Sequence, residues 1–317
     1  MSAPKVSLGT WPTPLEPAPR LAAALGLEPD DLWLKRDDLG GLGAGGNKIR
    51  KLEWTLGAAL AEGAEAVVTT GAPQSNHARL TAAAAARLGL DAVLVFPGEP
   101  GASRSGNLAL DGLFGARVVW AGDRDRAEVA DEVVAELGKA ALIPFGGSSA
   151  VGARGYVESA RELVAQLPDF TTAVVALGSG GTMAGLVAEL GPERVLGVDT
   201  GALADPVPVV ARMAGEVAGT TIDADRLRVR REQVGPGYPH FTDSSAAALT
   251  LVARTEGVIL DPIYTGRAMA GLITAFEDGT LRRGEKTVFI HTGGLPGFFG
   301  NADAVAYAES QLAVHRS

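Results

Sequence analysis

The chain has 317 residues, 46% hydrophobic and 21% charged, enough to bury a full core and to divide into two domains. A net charge of -9 and a pI near 5.1 argue against a nucleic-acid or anionic-membrane partner, since either needs a concentrated basic face. With no cysteine, a disulfide framework, a thiolate nucleophile and cysteine-ligated zinc are all excluded.

Residues 1–19 hold one lysine, four prolines after position 10 and no apolar stretch of signal-peptide length, so no export signal is read and the cytoplasm is the expected location. The glycine-rich turn Gly45-Gly46-Asn47-Lys48 opens an amphipathic helix. Ile49, Leu52, Leu56 and Leu60 recur along it at helical spacing, beside Arg50 and Lys51. Ala66–Thr70 reads as a buried strand, followed by the polar loop Gly71–His77 and a helix from Ala78 to Leu88. The alanine run 82–86 in that helix is bounded by Arg79 and Arg87, far short of a membrane span. Strands are expected at Asp91–Phe96, Arg117–Trp120 and Ala141–Phe145, then a helix over 153–167. The pattern resumes with Thr172–Leu177, Val195–Asp199 and Lys286–His291. Arg226–Arg231, the densest basic cluster, reads as the solvent face of a strand.

This βα alternation predicts an α/β protein with two open, twisted, mostly parallel sheets flanked by helices. No linker or repeat marks a boundary, so the crossings are placed at helix ends near Glu53 and Arg161. Residues 1–52 and 162–317 then form a large domain, and 53–161 a smaller inserted one. The cleft between them is the expected seat of chemistry.

Lys48 at a helix start suits a Schiff-base lysine. Gly178-Ser179-Gly180-Gly181-Thr182, after an apolar strand, offers bare backbone amides that could cradle a phosphate. Together they suggest pyridoxal phosphate. In the loop after Thr70, Gln74, Ser75, Asn76 and His77 stand at a strand's carboxyl end and could grip a substrate carboxylate, although Ser75 and Asn76 also suit a plain helix cap. Tyr238 and Tyr264 lie in turn-forming sequence where a phenol can donate or relay a proton. His291-Thr292-Gly293-Gly294 ends a strand and could be a second ligand-facing turn. Four histidines with no close pair give no metal spacing, so no metal is expected.

These segments, with Lys35-Arg36-Asp37-Asp38 and Leu260-Asp261-Pro262-Ile263-Tyr264-Thr265-Gly266, are specific as a set and span nearly the whole chain. They resemble the D-cysteine desulfhydrase and aminocyclopropane-carboxylate deaminase family of fold-type II pyridoxal-phosphate enzymes, which are tryptophan-synthase-β-like. The resemblance implies that Lys48 forms the Schiff base, that Asn76 bonds the cofactor's phenolic oxygen, and that Gly178 to Thr182 holds its phosphate. It also implies roles near the substrate for Ser75, Tyr238 and Tyr264, and a homodimer. Within the family the ring-opening deaminase carries a glutamate after the tyrosine and a leucine before the paired glycines; here Thr265 and Thr292 stand instead. A threonine near the pyridine nitrogen, where Thr292 would also bind the cofactor, makes a weaker electron sink than a carboxylate. That favours β-elimination from D-cysteine or a related β-substituted amino acid, giving pyruvate, ammonia and sulfide. On the same argument Thr265→Glu with Thr292→Leu is expected to lower elimination.

Three rivals are carried forward. An L-cysteate sulfo-lyase would need an arginine or several donors for the sulfonate, with Arg79 or Arg154 as candidates. A nicotinamide-dependent oxidoreductase would read Gly178-Ser179-Gly180 and Asp199 as its fingerprint, although Met183 replaces the third glycine. A non-catalytic pyridoxal-phosphate protein would keep the cofactor site without turnover.

Overall fold

The structure, a computed structural model, describes residues 4–101 and 105–312. In chain order it runs β1 (Leu15–Pro17), α1 (Pro19–Ala24), β2 (Leu32–Lys35), α2 (Lys48–Ala61), β3 (Ala66–Thr70), α3 (Asn76–Leu88) and β4 (Asp91–Phe96). There follow α4 (Asn107–Leu113), β5 (Arg117–Trp120), α5 (Arg126–Leu137), β6 (Ala140–Ile143), α6 (Ala150–Gln166), β7 (Thr172–Leu177), α7 (Gly181–Leu190) and β8 (Val195–Asp199). The remainder is α8 (Pro206–Ala218), β9 (Arg228–Arg230), α9 (Asp243–Glu256), α10 (Thr265–Glu277), β10 (Thr287–Ile290), α11 (Leu295–Phe299) and α12 (Ala302–Ser310).

The strands form two sheets, one ordered β1-β2-β10-β7-β8-β9 and one β5-β4-β3-β6. Every pairing is parallel except β1 with β2. Alternation along each strand sends neighbours to opposite faces. Val174 and Ala176 pack with α9 and α10, whereas Ala173, Val175 and Leu177 pack with α6, α7 and α8. In the smaller sheet Val67, Leu94 and Phe96 meet α2 and α3, while Val68, Val93 and Val95 meet α5. Strands buried on both faces are near-continuously apolar, which is why β3, β4, β7 and β8 were legible from sequence to the residue.

Two strand readings need adjustment, and two strands were not read at all. β6 stops at Ile143 because Pro144 has no N–H for the ladder, and Phe145–Gly147 turns into a short 3-10 segment. β10 is trimmed by one residue at each end. β1 and β2, at three and four residues, are too short for any periodicity to show. The basic cluster does hold an edge strand, β9, and Arg230 is paired with Asp278 at 2.7 Å, a charged edge that discourages further pairing.

Helices α2 and α6 join the two halves. Ile49, Leu52 and Leu56 pack with the smaller sheet, while Ala153, Tyr156 and Ala160 pack with the larger. On this packing we propose domain boundaries near 48 and 150 rather than 53 and 161. No helix among the described residues is long and apolar enough to cross a membrane.

Candidate active site

A cavity of about 220 Å³ lies where the carboxyl ends of β3, β6, β7 and β10 converge. Its wall includes Lys48, Ser75, Asn76, His77, Gly178, Ser179, Gly180, Thr182, Tyr238, Tyr264 and Thr292. Residues from six separate stretches of sequence thus meet at one place. Lys48, Lys51 and Arg126 line the cavity and, among the described residues, no aspartate or glutamate does, so the site attracts anions.

Lys48 is the first residue of α2, and its Nζ donates to the carbonyl of Gly146 at 3.2 Å. Burial pushes its amine down to about 8, so a reactive neutral fraction exists near neutral pH. One helical turn on, Lys51 donates to the same carbonyl at 3.4 Å and to Ser148 Oγ at 3.1 Å. Burial, and then the charge of Lys48, hold Lys51 well below the usual lysine range.

Ser148 Oγ also accepts from the Gly181 amide at 3.2 Å and lies 2.7 Å from Ser179 Oγ. It thereby ties Lys51 to the start of α7, where Gly180 takes φ +88° and a Cβ would press on Met213. A lysine, two serine hydroxyls and a helix N-terminus with no acid beside them match a phosphate dianion. Asn47 donates to Thr182 Oγ1 at 2.9 Å and fixes that hydroxyl in the same wall. Gly181 itself is absent from the wall, being turned toward Ser148.

On the facing side, Ser75 caps α3, its Oγ accepting from the Ala78 amide at 3.2 Å. The capping reading of Ser75 holds, and the capped residue also lines the cavity. His77 is buried and its Nε2 lies 3.0 Å from Thr69 Oγ1, whose own proton goes to Ile143 O at 2.9 Å. The ring proton is therefore on Nε2. Burial first, and the charges of Lys48 and Lys51 second, keep this histidine neutral. Gln74 does not line the cavity: its Oε1 accepts from the Asn107 amide at 2.9 Å and its Nε2 donates to Ser105 O at 3.0 Å. The sequence assigned Gln74 to substrate; its side chain is committed elsewhere.

The two tyrosine hydroxyls are hydrogen-bonded to each other, with the rings edge to face at 5.9 Å. Burial raises both phenols, Tyr264 the more strongly, so both are protonated near neutral pH and can act as acids. Asp261 sets the entry to α10, its carboxylate accepting from the amides of Ile263 and Tyr264 at 3.0 and 2.9 Å. Thr265 also serves that loop. Its hydroxyl donates to Asp261 Oδ1 at 2.7 Å and accepts from the Asp261 amide at 2.7 Å. It is fully buried and outside the cavity wall, so of the two threonines only Thr292 lines the cavity.

Neither arginine proposed for a sulfonate reaches the cavity wall. Arg79 is buried and donates to Gly45 O at 2.8 Å, and Arg154 stacks on Trp54 at 5.5 Å. Arg126, not anticipated, lines the wall and lies over the Phe145 ring at 5.2 Å. Lys51 had a readable signal, three residues after Lys48 on one helix face. Ser148 had another, since Gly146-Gly147-Ser148 repeats the strand-then-glycine pattern. Arg126 had none. Among the described residues no cluster of metal-ligating side chains occurs.

The model of the family described as "Pyridoxal-phosphate dependent enzyme" matches residues 6–293. A Pyrococcus horikoshii protein, provisionally named 1-aminocyclopropane-1-carboxylate deaminase, is 41% identical over 95% of this chain and 94% of its own. The D-cysteine desulfhydrase of Salmonella typhi is 40% identical over 93% of this chain and 95% of its own. A crystal structure of an ACC deaminase homologue superposes with a TM-score of 0.86 at 38% identity, covering 96% of both chains. The tomato (Solanum lycopersicum) threonine deaminase isoform 2 shares the fold at a TM-score of 0.70 and 19% identity, over 95% of this chain and 88% of that one. With the lysine, the anion-attracting cup and the two-sheet fold in place, the chain belongs to the pyridoxal-phosphate dependent enzyme family, in its aminocyclopropane-carboxylate deaminase and D-cysteine desulfhydrase group.

Proposed function

We propose that the enzyme carries out β-elimination on D-cysteine or a related β-substituted amino acid, releasing pyruvate, ammonia and sulfide. One observation carries this reading: a single cavity holds an amine lowered to about 8 and a hydrogen-bonded pair of protonated phenols. Elimination needs such a base at the α-carbon and such an acid at the leaving group. The bound cofactor supplies the electron sink for the α-carbon. In this reading Lys48 carries the cofactor and, once released, takes the α-proton. The start of α3, with Ser75, Asn76 and His77, receives the substrate carboxylate. Lys51, Ser179, Gly180 and Thr182 hold the phosphate, and Thr292 faces the ring. The pair from the broken Cα–H bond forms the Cα=Cβ bond, and the sulfur departs with the C–S pair. Tyr238 or Tyr264 gives that sulfur its proton, and water displaces the nitrogen of the resulting enamine in solution, leaving pyruvate and ammonia.

A second reading, elimination of sulfite from L-cysteate, is supported by Arg126 in the wall, a guanidinium suited to a sulfonate. The purified, cofactor-loaded protein should be offered D-cysteine, L-cysteine, L-cysteate and aminocyclopropane-carboxylate. Sulfide with pyruvate from D-cysteine supports the main reading. Sulfite that disappears in Arg126→Met supports the second, and 2-oxobutyrate from the cyclopropane substrate overturns both. The homodimer and the cytoplasmic location belong to the same reading. Light scattering of the purified protein tests the former.

A further inference from the structure

Asn107 lies outside the cavity wall, at the start of α4, fully buried. Its Nδ2 has two protons, and both are placed: one on the Gln74 carbonyl at 2.9 Å, the other on Asn76 Oδ1 at 3.0 Å. Its own backbone amide donates to Gln74 Oε1 at 2.9 Å, so Gln74 holds it at two points. A side-chain amide can turn over by exchanging its oxygen and nitrogen. Asn107 is denied that exchange, because a turned amide would set its oxygen against the Gln74 carbonyl, which has no proton to give. With Asn107 fixed as a donor, Asn76 must present its oxygen to Asn107, and its Nδ2 is left for the cavity that it lines.

We propose that Asn107 is a positioning residue that orients the Asn76 amide as a donor toward the cofactor's phenolic oxygen. The direction is passed from the Gln74 carbonyl through Asn107 to Asn76. This gives Gln74 a role away from the substrate. It rests on the reading of Asn76 as the partner of that oxygen. A donor there favours the anionic oxygen, so losing it raises the pH at which the visible band of the cofactor-loaded protein titrates.

The test uses the full-length loaded protein in four variants, read by absorbance across pH. Asn107→Asp keeps the shape but turns an acceptor toward Asn76, and Asn107→Ala removes the donor. Asn76→Ala removes the proposed contact itself. Leu108→Ala, on the same helix, controls for loss of packing. The expected result is an upward shift of roughly one pH unit in the first three and none in the fourth. If Asn76→Ala shifts the band and both Asn107 variants titrate like the unaltered protein, the positioning role is overturned while the reading of Asn76 stands. If Asn76→Ala leaves the titration unchanged, that reading falls and the proposal falls with it. A shift in Leu108→Ala equal to that in Asn107→Ala reduces the effect to packing and also overturns it.

Discussion

Lys48 and Thr265 show what burial does to individual groups. Because burial lowers the Lys48 amine to about 8, the neutral amine dominates only above that pH. The rate at which apoprotein takes up pyridoxal phosphate should rise about tenfold per pH unit below 8 and level off above it. Stopped-flow absorbance measures this, and a rate independent of pH between 6 and 9 would contradict it. Thr265 corrects an electronic argument. From sequence a glutamate at this position belongs beside the pyridine nitrogen, but the Thr265 hydroxyl is bonded to Asp261 inside the protein. Thr265→Glu would bury a second carboxylate against the first and should cost on the order of 3 kcal/mol in chemical denaturation. Thr292→Leu alone should leave stability nearly unchanged and carry whatever change in reactivity follows.

The helices matter here as holders of loops. Arg267, in the first turn of α10, donates to the carbonyls of Thr200, Gly237 and His240 at 2.5, 2.8 and 2.7 Å. It binds the loop carrying Tyr238 to the helix that begins beside Tyr264, so the two phenols keep one geometry. Arg267→Met would strand three carbonyls and should cost about 2 to 4 kcal/mol. It should lower kcat more than it changes KM, since proton delivery depends on that geometry. A kcat that returns to the unaltered value once it is referred to the concentration of folded, cofactor-loaded sites would speak for a general loss of folded enzyme instead. At this scale the sequence located the loops but not their fastening: Asp261 and Arg267 sit beside the tyrosine, and nothing in their spacing reveals which carbonyls they reach.

Across the whole molecule, the sheets are locked together by a buried ionic network. Arg50 on α2 bonds Asp37, after β2, at 3.0 Å and Glu162 on α6 at 2.7 Å, and Tyr156 donates to Asp37 at 2.5 Å. Burial alone would raise Asp37, but Arg50 and the hydrogen bonds from Arg50, Tyr156 and Thr13 hold it below its ordinary value. A carboxylate lowered on folding lends stability above its unfolded pKa and loses it as pH falls through the folded one. Arg50→Met strands that charge and should cost about 3 to 5 kcal/mol at neutral pH. The deficit should shrink as pH falls through the Asp37 pKa of the variant, which burial without Arg50 raises, and go on shrinking down to the lowered pKa of the unaltered protein. Thermal denaturation across pH checks both halves, and a deficit constant to pH 3 would remove Asp37 from the account.

The sequence by itself determined the α/β class, most of the strands and the identity of the central lysine. Buried parallel strands must be apolar throughout, and a glycine turn before a helix is written locally. Tertiary structure alone decided which groups share the cavity and which way they face. Gln74 and Thr265 belong to the right motifs yet point away, whereas Arg126, which belongs to no motif, lines the site and Ser148, from a glycine turn not read as part of it, braces it. The orientation of a side chain depends on partners about 30 to 135 positions distant in the chain, as the Asn76–Asn107 and Asn47–Thr182 bonds illustrate. No local pattern records such a partner, because the bond exists only once the distant elements have packed.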